Sequence, residues 1–458
     1  MRFRQWRTYL VLIPGLITLG CGNNEPAQND AGVIVHSITG QKDAIADLDP
    51  DLPIPSDATD LPMGSDARLD APDLDGGTMD GGARFDVGVV DAPIVWDAPI
   101  AIDTNRADSS SSNVFVASLS PAQVVPAVNS SATGQALLQL SATGSSLTYY
   151  LTHNVADATQ VGIFLGAGGE PGDILFDLKP LGTEMTGTLM LSVAEAASVA
   201  SGLLYLEIRS TSQPEGVLRG QILRPGETLW VARLTGAQAA PPVTTSATGH
   251  MAFVLNAEQD NLRYHMITTD LAPTAVRIQT GIAAMAGGPV VYTLTPAAGT
   301  MDGVLTVDGV DLQNLADRHW YVNVISGANP NGELRGQLLL AGETLYSASI
   351  VGGNEVPPTP STATGAAQFV LAPNGTTLMY EAVYVGLLAN AAHIHFGLPG
   401  VNGVVVYPLT MTGAGSGSKG AVTINTADLL NLNTFGYYVN AHVFGKPGGE
   451  IRGQIIKQ

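Results

Sequence analysis

Thiols are nearly absent from this 458-residue chain: its only cysteine is Cys21. That excludes a disulfide framework and any Cys-rich metal knuckle. Positive charge is scarce as well, with 20 Lys and Arg against 40 Asp and Glu and a net charge of −20. A phosphate backbone is held by clustered basic groups, so no nucleic-acid partner is expected. Charged residues of both signs reach only 13%, about half of the roughly 25% usual in soluble domains. No Gly-x-Ser-x-Gly elbow, phosphate loop or metalloprotease helix is present, so nothing points to a hydrolase and no enzymatic role is expected. Turn formers, by contrast, are abundant, with 53 Gly and 28 Pro. They favour many short elements over long helices.

The lone cysteine has a context. Arg2, Arg4 and Arg7 precede an apolar run at residues 9–19, too short to span a bilayer at roughly 20 residues but suited to a secretory signal. It ends in Thr18-Leu19-Gly20-Cys21, which resembles the lipobox of bacterial lipoproteins. That resemblance implies acylation of Cys21, membrane lipid as its partner, and an extracytoplasmic protein anchored to the outer membrane. Residues 1–21 are therefore expected to be a lipoprotein signal peptide. Residues 22–112 carry 17 Asp and one Glu against four basic residues, with recurrent Asp-Ala-Pro units. Like charges in a Pro- and Gly-rich tract repel and extend the chain, so a disordered tether is expected.

Beyond residue 112 the chain repeats itself three times. The blocks open on Phe115-Val116-Ala117-Ser118-Leu119, Trp230-Val231-Ala232-Arg233-Leu234 and Tyr346-Ser347-Ala348-Ser349-Ile350. Each passes through an Ala-Thr-Gly turn ending at Gly134, Gly249 or Gly365, and each closes on Arg-Gly-Gln at Arg219, Arg335 or Arg452. A period of 116 to 117 residues is that of a whole domain, not a solenoid unit. The expected domains are 113–225, 226–341 and 342–458, joined by the short linkers Pro225-Gly226-Glu227 and Ala341-Gly342-Glu343.

Within a block the apolar period is two. Ala136, Leu138 and Leu140 share one face, as do Met251, Phe253 and Leu255, and Ala367, Phe369 and Leu371. The next strand repeats this with Leu147, Tyr149 and Leu151 and their counterparts, while Tyr150, His265 and Glu381 point the other way, toward water. Seven or eight such strands per block predict an all-β protein of three antiparallel, Greek-key-like sandwiches. Short helical turns are expected at 193–200 and 426–432.

Four motifs of the third block, Asn354-Glu355-Val356-Pro357-Pro358, Ala392-His393-Ile394-His395-Phe396-Gly397, Tyr438-Val439-Asn440-Ala441-His442 and Gly449-Glu450-Ile451-Arg452-Gly453-Gln454, resemble the CHRD domain, named after chordin. The other two blocks match through the Pro-containing opening, the Thr-Gly turn and the close. The resemblance implies a β-sandwich found in bacterial secreted proteins. It carries over no growth-factor binding, because the Cys-rich modules of chordin are missing. For bacterial members it implies no settled biochemical role; an acylated, tethered array of three sandwiches reads as a surface-anchored binding or structural module, with an unidentified protein or extracellular ligand as partner.

One constellation in the third block carries chemistry. His393 and His395, at i and i+2, project to one face of a strand, and His442 lies on a later strand. Three neutral imidazoles suit copper or zinc, with Glu450 as the carboxylate that completes or orients the site. A His-x-His strand in a sandwich is also similar to Cu/Zn superoxide dismutase, and a redox role of that kind is one alternative reading, though that enzyme's further ligands find no counterpart here. Aligned positions hold Gly162, Phe164 and Arg209 in block one, and Arg277, Gln279 and Ile325 in block two. The histidines thus vanish together, as a single local purpose requires. The other alternative reading is a set of hydrogen-bonded polar residues at a strand end. Arg-Gly-Gln occurs in every block and reads as structural, the arginine either pairing with Glu450 or capping carbonyls, and the glycine admitting a close backbone.

Overall fold

Apolar alternation along short strands leaves each one a single buried face, and a sheet hides that face by folding over a second layer. The computed structural model describes residues 113–179 and 182–458, and in it all three blocks follow that rule. The signal peptide, Cys21 and the acidic tether lie outside the described residues.

In the third block one half-sheet comprises Thr344–Val351, Thr364–Leu371, Thr377–Val385 and Gly417–Thr423. The other comprises Val404–Pro408, Ala391–Phe396, Tyr437–His442 and Ile451–Gln454. All pairing is antiparallel, and the halves join where Val351 meets Arg452. The first block has the same two layers as separate four-stranded sheets, bridged at Ser120 and Arg219. Between the layers lie Phe369, Leu378, Ile394, Val439 and Ile451 in block three, and Leu138, Leu147, Ile163 and Leu206 in block one. The inward residues named from the sequence occupy this core, Leu140 and Tyr264 at its margin.

A helix crosses from one layer to the other in every block: Val193–Ser201, Gly309–Ala316 and Thr426–Asn433. The first and third fall where the sequence places them. The second is an addition to the expectation. Each starts with a capping box, Ser192 with Glu195, Asp308 with Asp311 and Asn425 with Asp428, which satisfies the free N–H groups of the first turn. Asp428 also accepts hydrogen bonds from the hydroxyls of Tyr407, at 2.6 Å, and Tyr437. The crossover is thereby tied to the layer that carries the histidines.

The outer faces depart from the sequence expectation. In block one Gln135, Leu137, Gln139 and Tyr150 are exposed, as an outward face should be. In blocks two and three that face is covered by the preceding domain. Ala252 and Val254 pack with Leu229 against Ala167, Leu203 and Leu223, while Val370 and Leu345 pack against Ala283 and Leu339. Polar groups complete the second contact: Ala283 N–H donates to Gln368 Oε1 at 3.0 Å, and His319 Nε2 lies 2.9 Å from Glu381 Oε2. The linkers are pinned turns, Arg224 N–H donating to Glu227 at 2.9 Å and Leu340 N–H to Glu343 at 3.0 Å.

Candidate metal centre

The repeated close does the same work three times. Arg219, Arg335 and Arg452 are buried, with no carboxylate among the described residues at ion-pair distance. Each guanidinium carbon lies over a tyrosine, 3.5 Å from the Tyr205 ring centre, 3.7 Å from Tyr321 and 3.4 Å from Tyr438. Each also donates to carbonyls of the loop on the same side of the sheet, Ala167 and Glu170, Ile282 and Met285, or Leu398 and Val401. The glutamine two residues on does likewise, Gln454 bonding the carbonyls of Gly397 and Phe435. Of the two roles open to the arginine, the structure uses carbonyl capping. Burial pushes the Arg335 pKa down to about 10, which leaves it charged at neutral pH. A Cβ on Gly453 would fall 2.4 Å from the Ser349 carbonyl oxygen, so only glycine lets the halves meet there.

That clamped loop, 397–403, roofs the outer face on which the histidines sit. Ala391–Phe396 and Tyr437–His442 are neighbouring strands, with His393 opposite Asn440, His395 opposite Tyr438 and His442 opposite Ala391. Alternation therefore puts His393, His395, Tyr438, Asn440 and His442 on one face, and Ile394 and Val439 in the core. The ligand atoms of the three histidines all lie within 4.8 Å of one another, and among the described residues no other group of His, Cys, Asp and Glu does this. His393 Nδ1 is 3.1 Å from His442 Nε2. Two nitrogens at about 2.0–2.1 Å from one tetrahedral zinc stand at a comparable separation. His442 Nε2 also lies 3.0 Å from Asn440 Oδ1.

His395 is oriented most firmly. Its ring stacks on Tyr438 at 4.8 Å and 9°, and Tyr438 carries Arg452 on its other side. Its Nδ1 is 3.0 Å from the Gly403 carbonyl oxygen, so Nδ1–H donates and the Nε2 lone pair is left for a ligand. That Nε2 is buried and has no hydrogen-bond partner. A Cβ on Gly403 would fall 1.4 Å from the Phe396 carbonyl oxygen, so this glycine is what lets its own carbonyl reach the ring. Burial and the other two imidazoles hold the His393 pKa below the ordinary histidine value, and burial does the same for His442.

Glu450 is not brought into the cluster. It stands at the turn into Ile451–Gln454, where its N–H donates to the Ala441 carbonyl. The nearby buried carboxyl is Glu355, raised to about 7 by burial and with Glu450 adding to the rise. Sequence reading passed over Glu355, because it sits in the opening motif, far from the histidines along the chain.

Strand register confirms the residue correspondence drawn from the sequence. Gly162 pairs with Glu207 and Phe164 with Tyr205 in block one, and Arg277 pairs with Asn323 and Gln279 with Tyr321 in block two. The same face is filled differently there. Arg209 forms a 2.9 Å ion pair with Glu207, and Asn323 donates to Gln279 at 2.9 Å. A register shift follows Ile163, Ile278 and Ile394 alike. The bulge therefore belongs to the fold, and the three histidines belong to block three.

No curated protein matches the chain, and no solved structure does. The model of the CHRD domain family matches at residues 115–222, 230–338 and 346–455. These stretches make up most of the chain and coincide with the three sandwiches, and the protein belongs to the CHRD domain family, with three copies in tandem.

Proposed function

We propose that this is a surface-anchored CHRD protein, held outside the cytoplasm by lipid on Cys21, whose third domain binds one divalent transition ion, copper or zinc, through His393, His395 and His442. The observation that carries the reading is the convergence of three imidazoles from two strands, with the buried Nε2 of His395 left without a partner. Three nitrogens leave one tetrahedral position open to water or to a ligand atom of a partner. Titration of the purified chain with copper and with zinc tests it, beside a chain with all three histidines changed to alanine. One ion bound by the first and none by the second is the expected result. Equal binding by both ends the proposal.

Protons compete with the metal for the same lone pairs. Because His393 and His442 are held below the ordinary pKa, affinity should persist down to about pH 6.5 and weaken only below it. An affinity that halves already between pH 8 and 7 would contradict the neutral, buried site.

Anchoring is tested separately. Cys21→Ser should leave the protein unprocessed or released from membranes, since acyl chains contribute about 0.8 kcal/mol per buried methylene. A cleaved Cys21→Ser species that still sediments with membranes would show that something else holds it there.

A further inference from the structure

The two internal contacts are the same contact made twice. In each, the loop end of one domain (Ala167 and Leu223, then Ala283 and Leu339) docks on the outer face of the next domain's first sheet. A head-to-tail contact of this kind uses two different surfaces, so the three described domains leave one of each without a counterpart. Both leftovers carry exposed apolar side chains, with Gln139 standing on the first domain's face where Val254 and Val370 are buried in the internal contacts. At the free loop end Leu398 is 57% exposed and Ile456 43%, where their block-two counterparts Ile282 and Leu339 are 3% and 8%. On the free face of block one Leu137 is 51% exposed, where its counterparts Ala252 and Gln368 are 5% and 3%.

A third position makes the same point. Gly202, Arg318 and Phe435 occupy equivalent sites after the crossover helix, all with φ near +60° to +75°. A Cβ on Gly202 would touch Val254 of the next domain at 3.6 Å, and Arg318 bonds Glu343 of the following linker. Phe435 meets no next domain among the described residues and is half-exposed. A bulky side chain in left-handed backbone on an open surface is uncommon.

We infer that the loop end of the third domain (Leu398, Phe435, Ile456) docks on the outer face of the first domain (Leu137, Tyr150) of a second copy of this chain, so that copies associate head to tail. The occupant is a second copy because both halves of the contact are present on every molecule and the chain already makes it twice. The contact is heterologous, so each added copy presents the same two surfaces again and association proceeds past the dimer. Internally each docking is helped by a short linker that supplies an effective concentration of about millimolar. Between free molecules that help is missing, so association is weak in dilute solution and rises with crowding on a surface.

The experiment is sedimentation of the full chain in detergent at concentrations up to about 1 mM. The natural chain should form species that grow past the dimer as concentration rises. Leu137→Glu and Phe435→Asp should each remain monomeric, and their equimolar mixture should stop at a one-to-one heterodimer, which keeps one intact contact. Tyr150→Glu and Leu398→Glu, on the same two surfaces, should reproduce the pattern. All four positions are solvent-exposed, and unchanged circular dichroism confirms that the fold is kept. A natural chain that stays monomeric, a dimer that never grows, or a mixture that fails to pair overturns the inference.

Discussion

Copper or zinc at about a hundredfold excess over its dissociation constant should slow amide exchange roughly 100-fold in Ala391–Phe396 and Tyr437–His442, and leave the matching strands of the first two domains unchanged. An ion bound only by the folded state adds about 2.7 kcal/mol under those conditions. That increment goes to whichever unit must open to break the site. Here the two strands are adjacent in one layer and share the core with Phe369 and Leu378, so the third domain is that unit. His393→Ala, His395→Ala and His442→Ala should each abolish the slowing, because two imidazoles cannot replace three. Gly403→Ala is the subtler probe. It displaces the carbonyl that orients His395 and should lower affinity about 10–100-fold, as loss of an orienting partner does. Uniform slowing across all three domains would mean that metal binds elsewhere.

Replacing Arg452 by Met should destabilise the third domain by about 3 kcal/mol, and Arg335→Met the second by a similar amount. Methionine keeps the volume and removes the donors. The carbonyls of Leu398 and Val401 then lose their buried partner, at about 1–3 kcal/mol each. The stacking on Tyr438 is lost as well, worth up to about 2 kcal/mol when desolvated. Part of that loss is recovered because the charge itself no longer has to be buried. The two substitutions differ in a second readout. Arg452→Met also loosens the loop that presents Gly403 and one side of the Arg452–Tyr438–His395 stack, so metal affinity should fall with stability. Arg335→Met should leave metal binding as it was. Thermal or urea unfolding beside a zinc titration separates these effects; equal stability of Arg452→Met and the natural chain would show that the repeated close is dispensable.

Much of this was legible in the sequence because it is local. Alternation gave the strands and their inward residues, the Arg-Gly-Gln close marked each domain's end, and co-loss of three histidines singled out one face of one block. Strand register then placed His442 diagonal to His393, which no spacing along the chain could settle. The second helix was missed because Asp308 and Asp311 form its capping box with aspartates and its first residue is Gly309, a poor helix former. The covered outer faces were missed for a different reason. Val254 and Val370 stand on the side that alternation assigns to water, and an apolar residue there is ordinary when single. Only the structure shows that both are buried by a neighbouring domain. Glu355 illustrates the same limit, since it approaches Asn440 and Glu450 through tertiary packing alone.

In the third domain the first and last strands lie side by side, Tyr346 opposite Lys457 and Ser347 opposite Ile456, and in the second Leu340 lies opposite Trp230. Entry and exit of a domain are therefore neighbours, and a whole copy can be spliced in or out at a linker without any strand losing its partner. Removing residues 226–341 would bring the Ala167 and Leu223 end against the Leu345 and Val370 face, two surfaces already shaped for such a junction. The fold thus behaves as a cassette. Gene duplication can lengthen or shorten the array, and with it the number of domains that precede the histidine cluster, while the chemistry of each unit is untouched.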